Sequence, residues 1–281
     1  MKQKILVLGA TGMAGHMIYL YLKGLDKYEM SNMVFRTKLD EKSLIIDVND
    51  KSTLSKAIKL INPNIIINCI GILIKGSSDN PINAIYINSC LPHLLKSISE
   101  EIGANLIHIS TDCVFSGNKG NYNENDFRDA DDIYGRSKAL GEIINDKDLT
   151  IRTSIIGPEL KQDGEGLFHW FMNQQGAVQG YKTAIWGGVT TLELAKAIDY
   201  AILNKTTGLI QLSNGLGISK YELLCLFKEI WKKNIEIKPV EKNGIDKSIA
   251  KSNVFHYEVP SYKNMLNDQF IWMESNKIYN Y

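Results

Sequence analysis

The chain carries a tyrosine and a lysine at a spacing suited to proton transfer. Tyr134 and Lys138 are four residues apart, so they share one face of a helix. A lysine ammonium beside a phenol lowers the phenol's pKa from its ordinary value of about 10. Thr111 follows a predicted strand upstream, and its hydroxyl could bind a substrate carbonyl beside the tyrosine. We therefore interpret Thr111, Tyr134 and Lys138 as a catalytic group for general acid catalysis.

A glycine-rich segment lies near the beginning of the chain, between an apolar run and a helical pattern. It reads Gly-Ala-Thr-Gly-Met-Ala-Gly over residues 9–15. Glycines there allow a tight turn and let the backbone approach a diphosphate at the helix N-terminus. A plain strand-to-helix turn is the alternative. We predict that the segment binds a dinucleotide through Gly9, Thr11, Gly12, Met13 and Gly15.

The ends of the next predicted strands suggest which dinucleotide is bound. Arg36 stands where an acidic residue would accept hydrogen bonds from the ribose of NAD. A cation fits a 2′-phosphate, so NADP(H) is favoured while NAD(H) stays open; a solvated surface arginine is the alternative. Asp47 and Val48 would lie near the adenine, and Cys69 and Gly71 near the ribose and phosphates. These four could equally belong to ordinary turns.

These residues need a scaffold, and the hydrophobic pattern indicates one. Short apolar runs alternate with amphipathic segments, which is typical of a parallel sheet covered by helices on both faces. Strands are predicted at 5–8, 33–35, 44–48, 65–67, 106–109, 150–156 and 208–212, and helices at 13–22, 52–60 (capped by Ser52), 82–99, 134–144, 191–203 and 219–231. We predict a doubly wound α/β fold of the Rossmann type, with ligands at the carboxyl ends of its strands.

The second half of the chain is less regular and indicates a smaller lobe. We expect residues 1–160 to form the dinucleotide-binding domain, to which 190–214 return, and residues 161–189 and 215–281 to form a substrate-binding lobe. Trp186 lies in the glycine-rich, aromatic region of this half, and its ring could stack on a base or a sugar. Packing in the core is its alternative.

Composition narrows the class of protein. The 281 residues include 32 Lys and Arg against 31 Asp and Glu, a net charge of +1. Bulk charge therefore gives no support for nucleic acid or membrane as a partner. The four cysteines are scattered, the histidines lack metal-ligand spacing, and no apolar run reaches 18 residues. We expect a cytoplasmic protein without a metal, and we leave its oligomeric state open, a homodimer included.

Several segments together resemble a known family. They are Gly9–Gly15, Asn68-Cys69-Ile70-Gly71, Ile109–Gly117 (ISTDCVFSG), Tyr134–Glu142 (YGRSKALGE), Arg152-Thr153-Ser154, Ile156-Gly157-Pro158 and Trp186–Thr191 (WGGVTT). With them the chain resembles the extended short-chain dehydrogenase/reductases, and among these the dTDP-4-dehydrorhamnose reductase branch. The resemblance is good over residues 1–160, moderate to about 215 and thin beyond.

The resemblance implies an activity and roles for residues. NADPH would reduce the C4 keto group of a nucleotide-linked 4-keto-6-deoxyhexose, of the dTDP-4-dehydrorhamnose or UDP-2-acetamido-2,6-dideoxy-4-hexulose type, in bacterial surface-polysaccharide biosynthesis. Tyr134 would donate the proton, Lys138 would hold the nicotinamide ribose and Thr111 would orient the carbonyl. Gly9, Thr11, Gly12 and Met13 would contact the cofactor's diphosphate, and Arg36 its 2′-phosphate.

The chain also departs from that branch. Cys113 stands where a tyrosine is frequent, and Ile155 where a tryptophan lies near the sugar. We therefore expect Thr111, Cys113 and Trp186 to contact the substrate, with the sugar itself undecided. Met17 replaces an acid that holds Mg²⁺ in some members, so no metal is predicted.

Two other functions use similar parts. A sugar-nucleotide epimerase uses the same Tyr–Lys pair but retains NAD, which Arg36 disfavours. A non-catalytic nucleotide-binding protein, like the regulatory subunit of methionine adenosyltransferase, shares the fold. The presence of Thr111, Tyr134 and Lys138 together disfavours this second alternative.

Overall fold

The computed structural model describes residues 1–241, 244–279 and 281. The strands in chain order are β1 (Gln3–Leu8), β2 (Tyr28–Val34), β3 (Leu44–Ile45), β4 (Ile65–Asn68), β5 (Asn105–Ile109), β6 (Leu149–Arg152), β7 (Ile155–Ile156), β8 (Ala177–Tyr181), β9 (Ile185–Trp186), β10 (Val189–Thr190), β11 (Gly208–Gln211), β12 (Ile218–Ser219) and β13 (Glu236–Val240). The α-helices are α1 (Met13–Gly24), α2 (Lys51–Ile61), α3 (Ile74–Asp79), α4 (Pro81–Ile85), α5 (Leu91–Ile102), α6 (Ile133–Leu140), α7 (Leu167–Met172), α8 (Thr191–Leu203), α9 (Lys220–Ile230) and α10 (Tyr262–Asn276). A π-helical turn (Tyr86–Cys90) precedes α5, and a 3₁₀ turn (Asp112–Val114) follows β5.

Seven strands of the described chain form one parallel sheet, in the order β3-β2-β1-β4-β5-β6-β11. The side chains of β1 alternate between the two faces of the sheet, and those on both faces are apolar, so helices must cover both faces. Ile5 and Val7 are buried in the core that includes α1 and α8, while Leu6 and Leu8 are buried in the core that includes α2 and α5. The predicted doubly wound α/β fold is confirmed.

The order of the strands reverses between β1 and β4. From β1 the chain proceeds to β2 and β3 on one side, and from β4 to β5 and β6 on the other. At such a point the connections diverge and leave a crevice outside the carboxyl ends of the strands. The glycine segment follows β1 and residues 69–71 follow β4, so both lie at this crevice.

Several boundaries differ from those predicted. The predicted strand at 150–156 is divided, because β6 stays in the sheet while β7 pairs with β10. The helix at 134–144 ends at Leu140, and Asp50, rather than Ser52, caps α2 by accepting a hydrogen bond from the Thr53 N–H. After α8, strand β11 pairs with β6 at the edge of the sheet. The division of the chain into domains stays a prediction.

The later part of the chain adds small paired strands and an aromatic cluster. Strands β8 and β13 pair in parallel, and β9 pairs with β12 antiparallel. The ring of Phe168 packs edge-on against Phe227 and Trp231, which joins α7 to α9. None of the helices in the described chain combines the length and the apolar character needed to cross a membrane.

Candidate active site

Two adjoining cavities occupy the crevice at the carboxyl ends of the strands. The Tyr134 cavity, of about 330 Å³, is lined by Thr111, Tyr134 and Lys138 among others. The Arg36 cavity, of about 400 Å³, lies towards β2 and β3. The residues that line both cavities are Thr11, Gly12, Cys69, Ile70, Gly71 and Lys161. The shared wall makes the two cavities parts of one elongated crevice.

The glycine segment has a geometry that side chains would prevent. Gly9 has a φ of +76°, in the left-handed region that favours glycine. A Cβ on Gly15 would lie 2.2 Å from the Gly9 carbonyl oxygen, so only glycine permits this approach of α1 to the turn. The first turn of α1, all of it described, carries no acidic side chain. Its amides and helix dipole therefore fit an anionic group such as a dinucleotide's diphosphate.

The Arg36 cavity collects the other residues predicted to bind the cofactor. Arg36 is exposed, and its guanidinium lies 4.7 Å from the centre of the Phe35 ring. Asp47 and Val48 line the cavity from the side of β3, and Cys69 and Gly71 line it from the side of β4. The end of β2 thus presents a cation, and the residues present fit a phosphorylated ribose better than a free one.

Thr111, Tyr134 and Lys138 come together in the Tyr134 cavity, although Thr111 follows β5 and the other two lie on α6. The Asp132 side chain caps α6 by accepting a hydrogen bond from the Gly135 N–H at 2.7 Å, which fixes the start of the helix that carries the pair. The Thr111 hydroxyl donates to the Asp112 carboxylate at 3.1 Å and accepts from the Cys113 N–H at 3.1 Å.

Burial shifts the two titratable groups in opposite directions. It raises the pKa of Tyr134 above its ordinary value, Cys113 adds to the rise, and Thr111 opposes it. Burial lowers the pKa of Lys138 to about 8, and the charge of Glu142 opposes this fall. The pKa of Tyr134 therefore lies above its ordinary value and not below it, in contrast to the expectation from the sequence. The Lys138 ammonium donates instead to the Ile109 carbonyl at 2.7 Å.

A buried carboxylate organises the strands next to these residues. Glu142 accepts hydrogen bonds from the Ser110 hydroxyl at 2.8 Å and from Arg128 Nη1 at 3.0 Å. Arg152 donates to it twice, from Nε at 2.9 Å and from Nη2 at 2.8 Å. The carboxylate thereby ties the carboxyl ends of β5 and β6 together. The sequence shows Glu142 four residues after Lys138, but the spacing alone does not reveal this network.

Two of the residues predicted to contact substrate do not line this cavity, although the Cys113 N–H donates to the Thr111 hydroxyl. Within the described chain, neither Cys113 nor Trp186 lines the Tyr134 cavity. Trp186 is 7% exposed, packs against Tyr262 with ring centres 5.6 Å apart, and donates from Nε1 to the Ser154 hydroxyl at 2.8 Å. Packing in the core, the alternative for Trp186, is what the structure shows. Ser154, which the sequence did not single out as a contact, lines the cavity instead.

The described residues contain no group of three or more His, Cys, Asp or Glu side chains that could hold a metal ion. Met17 is fully buried in the core beneath α1. A broad groove of about 910 Å³ lies at the amino ends of β1 and β2, and none of the predicted site residues lines it.

Comparison with known proteins places this arrangement in a family. The family model described as RmlD substrate binding domain matches residues 3–249. The chain is 27% identical over 157 residues to dTDP-4-dehydrorhamnose reductase of Aggregatibacter actinomycetemcomitans, covering 54% of this chain and 51% of that protein. It is 28% identical over 151 residues to methionine adenosyltransferase 2 subunit beta of Danio rerio, covering 50% of this chain and 42% of the relative. The match thus spans about half the length of these relatives, or less.

Structural similarity to solved proteins covers nearly the whole chain. The structure of dTDP-4-dehydrorhamnose reductase from Bacillus anthracis str. Ames, in complex with NADP, is similar with a TM-score of 0.83. The similarity covers 97% of this chain and 100% of that one, at 23% sequence identity. At this identity the likeness establishes the fold.

Proposed function

Because the chain belongs to the RmlD substrate binding domain family, we propose that it reduces the C4 keto group of a nucleotide-linked 4-keto-6-deoxyhexose with NADPH. The substrate would be of the dTDP-4-dehydrorhamnose or UDP-2-acetamido-2,6-dideoxy-4-hexulose type. The observation that carries the proposal is the meeting of Thr111, Tyr134 and Lys138 in one cavity, which continues into the crevice formed by the glycine segment.

The side chains of the cavity suit the proton half of this reaction. A reduced nicotinamide, when bound, supplies the hydride to C4. Tyr134 donates its hydroxyl proton to the carbonyl oxygen, so the keto group becomes a hydroxyl group. Since burial raises its pKa, Tyr134 is protonated at neutral pH and is an acid in the direction of reduction. Thr111 orients the carbonyl when its hydroxyl proton turns from the Asp112 carboxylate to the carbonyl oxygen.

Lys138 supplies the positive charge next to the acid. As an ammonium it stabilises the phenolate that forms when Tyr134 gives up its proton, and it can donate to hydroxyls of the nicotinamide ribose. Its bond to the Ile109 carbonyl leaves two of its three N–H groups for these roles.

NADP(H) is the cofactor that the Arg36 cavity favours. A guanidinium pairs well with a phosphate dianion and gains less from a neutral ribose hydroxyl. The relative of known structure from Bacillus anthracis was solved with NADP, which supports the same choice.

A non-catalytic nucleotide-binding role is the second candidate. It is favoured by the similarity to methionine adenosyltransferase 2 subunit beta, which covers half of this chain. In that case the crevice would bind a dinucleotide without turnover. The meeting of three residues suited to acid catalysis in the Tyr134 cavity argues for the reductase.

A substrate panel tests the proposal. The purified protein is mixed with dTDP- and UDP-linked 4-keto-6-deoxy sugars and NADPH, and the loss of NADPH absorbance is followed, with product stereochemistry by NMR. We expect one NADPH consumed for each sugar reduced. Binding of NADPH with no turnover on any sugar would support the non-catalytic role, and isomerised sugar without net NADPH consumption would support an epimerase.

A further inference from the structure

Lys161 is a cation that lines both halves of the crevice. It lies on the segment 157–166, which follows β7, and it faces the Tyr134 cavity as well as the Arg36 cavity. Its side chain is exposed, and within the described chain it has no hydrogen bond or ion pair. An unpaired ammonium at the junction of two cavities is free to bind an anion there.

The segment that carries Lys161 is held against the rest of the molecule. The Glu159 N–H donates to the Tyr281 hydroxyl at 2.8 Å, and the Glu159 carboxylate accepts from the Gly166 N–H at 2.7 Å. His169 Nδ1 lies 2.7 Å from the same Tyr281 hydroxyl. These contacts restrict the backbone on both sides of Lys161. Ordering Lys161 on an anion therefore costs less conformational entropy than it would on a free loop.

The same segment packs against the beginning of α1. A Cβ on Gly166 would lie 2.4 Å from Met13 Cε, so this segment lies directly against the Met13 side chain. Met13 is the first residue of α1, whose N-terminus carries a partial positive charge. Lys161 and this N-terminus therefore place two positive sources around the residues that line both cavities.

The charge at this junction matches one part of a dinucleotide. Its diphosphate joins the nicotinamide half to the adenosine half, so it must lie where the two cavities meet. Two carboxylates line the crevice, but neither lines both cavities. Asp47 lines only the Arg36 cavity, and Glu159 lines only the Tyr134 cavity, where its Oε1 is occupied by the Gly166 N–H. The diphosphate of a sugar nucleotide is the other candidate anion, but it has no reason to extend into the Arg36 cavity.

We propose that Lys161 binds the diphosphate of the dinucleotide, together with the glycine segment and the N-terminus of α1. The proposal rests on the proposed function for the presence of a dinucleotide, and it adds a residue that fixes the middle of that ligand. It also separates two roles: Lys161 for the diphosphate, and Arg36 for the 2′-phosphate.

Calorimetric titration of the full chain with chosen ligands tests this separation. NADPH and ADP-ribose contain the diphosphate, whereas adenosine 2′,5′-bisphosphate contains the 2′-phosphate without it. We expect Lys161→Ala to weaken NADPH and ADP-ribose by about tenfold, as for the loss of one charge-assisted contact. Adenosine 2′,5′-bisphosphate should bind within about twofold of wild type. Arg36→Ala should give the opposite pattern for ADP-ribose and the bisphosphate.

Three controls test whether the effect is specific to the charge at position 161 and to the dinucleotide. Lys161→Arg keeps the charge and should retain most of the affinity. Lys56→Ala removes an exposed lysine of α2 that lines neither cavity and should change nothing. Titration with UDP reports on a sugar-nucleotide diphosphate.

The outcomes are distinct. If wild type binds NADPH and Lys161→Ala binds it equally well, or loses affinity only for UDP, this inference is overturned while the proposed function stands. If wild type binds no dinucleotide, the proposed function and the inference fall together.

Discussion

The ammonium group of Lys138 donates a 2.7 Å hydrogen bond to the main-chain carbonyl of Ile109, the last residue of β5. The bond anchors a buried cation to the end of the strand that leads into Thr111. It compensates only part of the cost of burial, because the pKa of Lys138 still falls to about 8. The charge of this lysine is therefore sensitive to pH in an accessible range.

The proposed reductase activity should decline on the alkaline side as Lys138 loses its proton. Below its pKa of about 8 the side chain is an ammonium, and above it the stabilising charge disappears. Tyr134 stays protonated over this range because its own pKa is raised. We expect kcat/KM to fall about tenfold per pH unit above the lysine's pKa. In Lys138→Arg, whose side chain stays charged, the decline should move to higher pH, and an unmoved decline would assign it to another group.

Removing the proposed acid should abolish turnover without loosening the cofactor. In Tyr134→Phe the ring remains but the proton donor is gone, so kcat should drop by about 100-fold or more. The affinity for NADPH, measured by fluorescence titration, should stay within about twofold. Tyr181→Phe, at a tyrosine of β8 that lines neither cavity, is the matched control. Full turnover by Tyr134→Phe would rule out this acid.

The proposed preference for NADPH over NADH should depend on Arg36. Arg36→Ala should weaken NADPH by about ten- to a hundredfold, since a charge-assisted contact to the 2′-phosphate is lost, and leave NADH nearly unchanged. Dissociation constants for both nucleotides give the ratio. Lys38→Ala removes a nearby exposed cation that does not line the Arg36 cavity, and its ratio should match wild type. An equal loss for NADPH and NADH in Arg36→Ala would contradict the assignment.

Acid should destabilise the fold through His16. Its Nδ1 donates to the Gly12 carbonyl at 2.8 Å and its Nε2 accepts from the Tyr279 hydroxyl at 2.8 Å, which requires the neutral ring. Burial lowers the pKa of His16 to about 4. Between that value and the unfolded pKa of about 6.5, the unfolded chain binds more protons, so stability is lost as pH falls.

Urea unfolding measures that loss. Between pH 7 and pH 5 the free energy of unfolding should fall by about 2 kcal/mol more in wild type than in His16→Gln, which has no titrating ring. Other buried groups, such as His108, contribute to both proteins and cancel in the difference. Equal pH dependence in the two proteins would show that His16 is not the group responsible.

Local patterns predicted the scaffold better than the pocket. The apolar run at β1, the glycine turn and the helix at α8 follow from residues adjacent in sequence, and their predictions are confirmed. The pairing of β8 with β13 joins segments more than fifty residues apart, and β13 has little buried apolar surface to mark it. Nothing in the local pattern indicates that partnership.

Spacing likewise predicted which residues meet but not their detailed contacts. Four-residue spacing places Tyr134 and Lys138 on one face of α6, yet the bond from Lys138 to Ile109 depends on how the helix packs on the sheet. The sequence left two places open for Trp186, because an aromatic side chain in a glycine-rich region suits a pocket and a core equally. Only the tertiary structure shows that the Trp186 indole N–H donates a hydrogen bond to the Ser154 hydroxyl.

The pairing of Glu142 with Arg152 has a consequence for how this protein can diverge. Both side chains are almost completely enclosed, and each is the principal counter-charge of the other. Loss of Glu142 alone leaves the enclosed charge of Arg152 without its partner, and loss of Arg152 alone leaves Glu142 only the more exposed Arg128. Either loss costs several kcal/mol, whereas exchanging both for apolar residues of similar volume is far less harmful. Among descendants of this sequence, positions 142 and 152 should therefore covary, either keeping acid and base together or abandoning both.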